Sequence, residues 1–258
     1  MTDKPLISIE SADCVFQHVS GRTVKALDRV DLKIREGDFV CLLGRSGHGK
    51  STLLRSLAGL NALTGGVILV ENTPISGPGP DRGMVFQEDT VFPWLSVYDN
   101  VAFGLRAQGR PKAEIDGTVQ EWLEAVGLSD FAGSWPKELS GGMRKRVAIA
   151  SVFAGGAPIL LMDEPFGALD YVTRMDLQQF LIELWQRTSR TIVFVTHDIE
   201  EALVLAERIL VMRQGRIVDD IQVDLPRPRD EEVRATPRAV EITKTVIGHL
   251  GLGQRTAA

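Results

Sequence analysis

Two short stretches carry the groups needed to cut a nucleoside triphosphate. Gly44-Arg45-Ser46-Gly47-His48-Gly49-Lys50-Ser51-Thr52 fits the spacing GxxxxGK[ST], in which glycines let backbone N–H groups converge on phosphate oxygens. A helix opening at this loop adds a favourable dipole. Lys50 is expected to reach the β and γ phosphates, and Ser51 to offer its hydroxyl to a magnesium ion. Asp163-Glu164 closes the apolar run Ile159-Leu160-Leu161-Met162. That puts Asp163 at the C-terminal edge of a strand, where open α/β sheets bind ligands, as the expected magnesium partner through water. Glu164 beside it is expected to act as general base for an attacking water.

Three further sites gain meaning from these two. His197, in Val195-Thr196-His197-Asp198, follows the strand-like run Ile192–Val195. Alone it reads as a turn residue; with the loop and the acidic pair it reads as a hydrogen-bonding sensor of the γ phosphate. Gln87 ends the run Met84-Val85-Phe86, where a neutral amide can touch the metal or the water and change its contacts when a neighbouring lobe rotates. Ser140-Gly141-Gly142 precedes a helix expected to begin near Met143. A serine and two glycines at a helix start make a second anion site. One chain already has its phosphate loop, so the second site suggests a dimer in which each copy completes the other's site, the alternative being a plain helix cap.

The elements that must position these groups follow from periodicity. Phe39–Leu43 reads as a strand before the loop and Ser51–Leu60 as a helix after it. Gly65-Gly66 and Gly77-Pro78-Gly79-Pro80 mark turns. From Ser96 to Gly155 the pattern is helical, with segments at Ile115–Val126 and Gly141–Ala154, and strand-like runs return at Ile159–Met162, Thr191–Val195 and Ile209–Met212. Continuous apolar strands alternating with helices imply a parallel sheet covered on both faces. The expected organisation is an α/β fold. A β lobe and the first part of the core span residues 1–86, an inserted helical lobe 87–157, the second part of the core 158–225, and a short tail 226–258. In that tail, Pro-Arg-Pro-Arg-Asp-Glu-Glu reads as a linker and the remainder as one helix.

Composition narrows the classes. An apolar fraction of 44% with 24% charged residues is that of an ordinary globular protein, and no apolar run approaches the roughly 20 residues that cross a bilayer. The opening MTDKPLISIE shows no secretion-signal run, so a cytoplasmic location is expected. Cys14 and Cys41 lack metal-ligand spacing and are expected to be buried free thiols. A net charge of −5 argues against a general nucleic-acid binder.

Taken together, GRSGHGKST, Gln87, LSGGMRKR, ILLMDEP, GALD and VTHD resemble the nucleotide-binding subunit of ABC transporters, across residues 8–225. The resemblance implies a RecA-like P-loop NTPase core with a small antiparallel β lobe and an inserted α-helical lobe. It implies ATP and Mg2+ as ligands, Gly44–Thr52 as the Walker A loop, Asp163 as the Walker B aspartate and Glu164 as the catalytic base. Asp170 would be the D-loop aspartate and His197 the switch histidine. Ser140–Met143 would act in trans across a head-to-tail homodimer holding two ATPs. Phe92-Pro93-Trp94-Leu95-Ser96-Val97-Tyr98-Asp99-Asn100-Val101 resembles the PWLTVLDNV stretch of nitrate/sulfonate/taurine importers, as do VTHDIEEALVLAERILVM and LPRPRD. That implies integral-membrane permease subunits as partners, with Phe92 and Trp94 as apolar contacts or, alternatively, as packing within the helical lobe. It also implies an extracytoplasmic solute-binding protein as an indirect partner, and a peripheral place on the cytoplasmic face of the inner membrane. An exporter or lipid-transport ATPase, and a non-transport ABC ATPase, are the rival readings. Against the pattern it resembles, the chain departs at Lys145, where many members carry glutamine, at Ser151, where an arginine is usual, and at Gly155-Gly156-Ala157-Pro158, one residue longer than its counterpart. The aromatic that stacks on adenine aligns to Val19, with Phe16 three residues earlier, so the base-contacting side chain stays open at this point.

Overall fold

The computed structural model describes residues 4–17, 21–88 and 91–251. Along the chain lie β1 (Ile7–Gln17), β2 (Thr23–Ile34), β3 (Phe39–Leu43), α1 (Lys50–Leu57), β4 (Gly65–Val70), β5 (Thr73–Pro74) and β6 (Arg82–Val85). Then come α2 (Val97–Ala107), α3 (Lys112–Ala125), α4 (Gly141–Ala154), β7 (Ile159–Asp163), α5 (Tyr171–Thr188), β8 (Thr191–Thr196), α6 (Ile199–Leu205), β9 (Arg208–Arg213), β10 (Arg216–Gln222), α7 (Glu231–Arg234) and α8 (Pro237–Leu250). The chain divides into two compact units, Met1–Gly79 with Trp185–Ala258, and Pro80–Leu184.

The first unit holds an antiparallel sheet in the order β2-β1-β4-β5 and a run of strands in the order β10-β9-β3-β8. Within that run, β3 pairs in parallel with both β8 and β9, while β10 closes the edge antiparallel to β9. Every residue of β3 and β8 is buried, which is why these strands are continuous apolar runs rather than alternating ones. Phe39 packs edge-on to Trp185 at 5.6 Å between ring centroids and against Phe194 at 6.2 Å. Beneath the phosphate-loop helix lie Leu53, Leu54 and Leu57. α1 stops at Leu57, short of the Leu60 expected from periodicity. The chain turns at Gly59, with φ +76°, so close to Gly77 that a Cβ at residue 59 would sit 2.2 Å from Gly77's carbonyl group.

In the second unit, β6 and β7 run parallel, in register from Arg82↔Ile159 to Val85↔Met162. Helix α4 lies against β6 so closely that a Cβ on Gly83 would meet Val152 Cγ1 at 2.4 Å. Ser96 caps α2 by accepting from the Asp99 N–H at 3.0 Å, and Ser140 caps α4 by accepting from Met143 N–H at 3.2 Å. The apolar faces of the three helices bury Val101, Leu105, Val119, Leu123, Ile149 and Phe153. α3 begins at Lys112, earlier than the expected Ile115, because Pro111 supplies its extended N-cap.

The stretch after Leu225 is no linker. Arg229 is buried, and its guanidinium donates to the carbonyl oxygens of Leu203 (2.9 Å) and Val223 (3.0 Å) and also to that of Ala206. Arg227 lies over the Trp185 ring at 5.1 Å and bonds Glu207 at 2.7 Å. Charged, proline-rich sequence reads as solvated, but a guanidinium's five donors can satisfy several backbone acceptors at once. Burial, with Arg227 beside it, pushes Arg229 down to about 10. Beyond it α8 buries Ala239, Ile242, Val246 and Leu250. Cys14 and Cys41 are free and buried, and burial raises both thiols above the ordinary range.

The two sheets and the helical cluster are those of a RecA-like P-loop NTPase core with a small antiparallel β lobe and an inserted α-helical lobe.

Candidate nucleotide site

In the first unit, Leu43 pairs with Thr196 on one side and Val211 on the other. Gly44 and His197 therefore leave β3 and β8 at one level, on the C-terminal edge, with Met212 of β9 beside Gly44. The loop from Gly44 to Gly49 turns there into α1. Gly47 and Gly49 have φ of +80° and +97°, conformations that cost a side-chain-bearing residue free energy. Two of the glycines are also demanded by space: a Cβ on Gly44 would lie 2.5 Å from Met212 O, and one on Gly49 2.4 Å from Ala26 O. Lys50 is buried and folds back over the loop, donating to the carbonyls of Gly44 at 2.8 Å and Arg45 at 3.2 Å. Arg45, Ser46 and Gly47 are exposed, while Ser51 and Thr52 are half-buried in the first turn of α1. The arrangement offers an anion a rim of backbone donors, a helix N-terminus and an ammonium.

His48 adds a contact that loop spacing does not reveal. Its Nδ1 lies 3.2 Å from Met212 O, and a carbonyl can only accept, so Nδ1 carries the hydrogen. Gly215 N–H donates to His48 O at 3.1 Å. The loop is thus fastened to β9 and to the β9–β10 turn.

His197 is exposed, and both of its neighbours are fixed. Thr196 Oγ1 accepts from the Asp198 N–H at 3.0 Å, and Asp198 Oδ1 caps α6 through the N–H groups of Glu200 (2.9 Å) and Glu201 (3.3 Å). A histidine between two such turns presents its ring at the strand edge with little backbone freedom.

In the second unit, the register Val85↔Met162 carries Gln87 and Glu164 off the C-terminal ends of two neighbouring parallel strands. Asp163 is the last residue of β7 and is 2% exposed. Glu164 sits at φ +43°, a left-handed conformation uncommon outside glycine and concentrated at functional turns. Within this unit Gln87 and Asp163 bring amide and carboxylate oxygens, donors whose chemistry suits a small hard cation such as magnesium.

The same unit joins the Ser140 segment to Asp170. A Cβ on Gly142 would meet Thr173 Cγ2 at 2.7 Å and one on Gly141 would lie 3.7 Å from Leu169 Cδ2. Asp170 Oδ1 accepts from the Thr173 N–H at 3.0 Å, and hydrogen bonds from Thr173 hold its carboxyl below the usual range. The helix opened by Ser140 begins at Gly141, two residues before the expected Met143. Lys145, one turn in, donates from Nζ to Gln87 O at 2.9 Å. Helical spacing already put Lys145 on the face of Ile149 and Phe153, which was the available sign that it is buried. Of the two adenine alternatives, Val19 lies outside the described residues, and Phe16 is 44% exposed opposite Val24.

The ABC transporter family profile matches residues 27–167. The chain is 45% identical over 248 residues to the taurine import ATP-binding protein TauB of Rhizobium johnstonii, spanning 93% of this chain and 95% of that one. To the nitrate import ATP-binding protein NrtD of Synechocystis it is 48% identical over 228 residues, spanning 88% and 85%. Among solved structures, it is similar to the ATP-binding cassette MJ0796, a dimer in a post-hydrolysis state with ADP and Pi, at a TM-score of 0.74 and 32% identity over 84% of this chain and 98% of that one. The chain belongs to the ABC transporter family, as one of its ATP-hydrolysing nucleotide-binding cassettes.

Proposed function

We propose that the chain energises a membrane importer of a small solute of the nitrate, sulfonate or taurine kind. The relatives named for taurine, nitrate and aliphatic sulfonate import, at 45–48% identity, carry this reading. A chain-specific observation supports it. Trp94 is 68% exposed and forms, with Phe92 and Phe103, a ring cluster at centroid distances of 5.5 and 4.6 Å. Exposed aromatics are favoured as interface anchors, and a permease helix is the occupant that the importer reading assigns to them.

In this reading the backbone N–H groups of Gly44–Thr52 and the Lys50 ammonium hold the phosphates. Glu164 takes a proton from water as its oxygen attacks the γ phosphorus, and the bond from that phosphorus to the bridging oxygen breaks to release ADP. Ser51, Asp163 and Gln87 would hold magnesium, which when bound neutralises charge on the phosphate oxygens. His197 donates a hydrogen bond to the γ phosphate, and Gln87 reports its presence to residues 87–157, which we assign as the helical lobe between core segments 1–86 and 158–225. Ser140, Gly141 and Gly142 complete the ATP site of a second copy, with Asp170 at the seam, and residues 226–258 form the tail. Among the described residues no helix is long and apolar enough to cross a membrane. In this reading permease subunits hold the chain at the cytoplasmic face of the inner membrane, with a solute-binding protein beyond them. No nucleic acid takes part.

The test is ATP-driven dimerisation and phosphate release, compared between wild type and Glu164→Gln. Loss of the base lowers turnover by about 10²–10⁴ and leaves an ATP-trapped dimer visible by light scattering. Turnover that survives the substitution, with no dimer in either protein, sinks both the base and the shared-site assignments.

A further inference from the structure

We infer that Lys145 is a positioning residue for Gln87: its buried ammonium fixes the backbone of the segment that presents the Gln87 side chain, and so ties that segment to the helix opened by Ser140. The inference rests on the proposed reading of Gln87 as the group that senses metal and water. Lys145 is 4% exposed, whereas Gln87 is exposed. A lysine is almost never so deeply buried unless its charge is partnered, and here one of its three donors goes to the main-chain oxygen of Gln87 at 2.9 Å, across 58 residues of sequence. A hydrogen bond from a charged donor is shorter and roughly twice as strong as a neutral one. It acts at the backbone, which leaves the amide side chain at liberty to meet a ligand while its Cα stays in place.

The helix bearing Lys145 is itself held firmly. Gly83 admits Val152 of α4 against β6. Ser140 caps the helix, and Arg144 Nη1 donates to Leu139 O at 2.7 Å in its first turn. Gly142 sits against Thr173, whose N–H is capped by Asp170. A rigid helix start at one end of the Lys145 side chain and the Gln87 backbone at the other make a short strut. Any shift of the Ser140 segment as a second copy engages it moves the anchor of Gln87 by way of that strut. Glutamine at this position would bring a shorter stem and a neutral donor.

The experiment is a double-variant cycle on the full-length chain, reading kcat and KM of ATP hydrolysis for Lys145→Met, Lys145→Gln, Gln87→Ala and the double variant Lys145→Met with Gln87→Ala. Methionine keeps the apolar stem and removes the donor. The expected result is a kcat for Lys145→Met lower by about five- to twenty-fold with KM changed less than about two-fold, the split a positioning role predicts. Lys145→Gln, with a donor restored, recovers part of that loss. In the double variant the methionine adds nothing to the loss from Gln87→Ala, because both act through one group. Losses that multiply overturn the inference, as does a Lys145→Met enzyme that turns over like wild type while Gln87→Ala does not. In those cases the reading of Gln87 stands. If Gln87→Ala turns over like wild type, the reading of Gln87 falls, and the inference with it. Should the methionine variant not fold, a Lys145→Gln enzyme whose kcat loss multiplies with that of Gln87→Ala overturns the inference, and one whose loss is absorbed supports it.

Discussion

The main chain of Gly44 lies so close to Met212 that a single added carbon at Gly44 would come within 2.5 Å of the Met212 carbonyl oxygen. That oxygen also accepts the Nδ1 hydrogen of His48. One carbonyl at the end of β9 thus sets how near the phosphate loop can approach and holds it there. Gly44→Ala forces the two strand ends apart, and overpacking of this kind costs about 1–3 kcal/mol. The expected outcome is ATP affinity lower by about ten-fold or more, read by titration with a fluorescent ATP analogue. Unchanged affinity would show that the loop's position does not depend on this approach.

Of the two adenine alternatives, Phe16 is the one that lies among the described residues. It pairs across the hairpin with Val24, and two residues along β2 the Ala26 carbonyl lies against Gly49 of the phosphate loop. At about 3.3 Å per residue, the exposed Phe16–Val24 pair stands about 7 Å along the strand from the Ala26 carbonyl that meets Gly49. Ring stacking is worth about 0.5–1.5 kcal/mol. Phe16→Ala is therefore expected to raise KM for ATP by about two- to ten-fold and to leave kcat nearly unchanged. A KM equal to that of the wild type removes Phe16 from the base site.

Trp94 separates folding from docking. At 68% exposure, Trp94→Ala is expected to change the folding free energy by less than about 0.5 kcal/mol and to leave basal ATPase activity intact. Co-purification with the permease from detergent-solubilised membranes is expected to fall sharply. Full retention on the permease would return the ring cluster to a role within the helical lobe.

Arg229 makes the opposite case. Truncation to alanine strands the carbonyls of Leu203, Ala206 and Val223. Each buried acceptor left unsatisfied costs about 1–3 kcal/mol, and with three of them Arg229→Ala is expected to lose about 3 kcal/mol or more in urea unfolding, among the large single-site effects. A loss under about 1 kcal/mol would mean the tail is held by α8 alone.

The sequence by itself determined the chemistry. GRSGHGKST, the acidic pair after ILLM, and VTHD are local patterns, and the strands and helices around them follow from apolar periodicity. That is why Phe39–Leu43 is found where it was expected. Tertiary structure decided which distant groups hold the motifs in place. His48 meets Met212 across 164 residues, Lys145 meets Gln87 across 58, and Arg229 reaches carbonyls 6 to 26 residues away. Each of these bonds joins a side chain to a backbone carbonyl, and every residue offers the same carbonyl whatever its side chain. A partner of that kind leaves no mark in the sequence; only the folded path of the chain brings it within 3 Å or so of its donor.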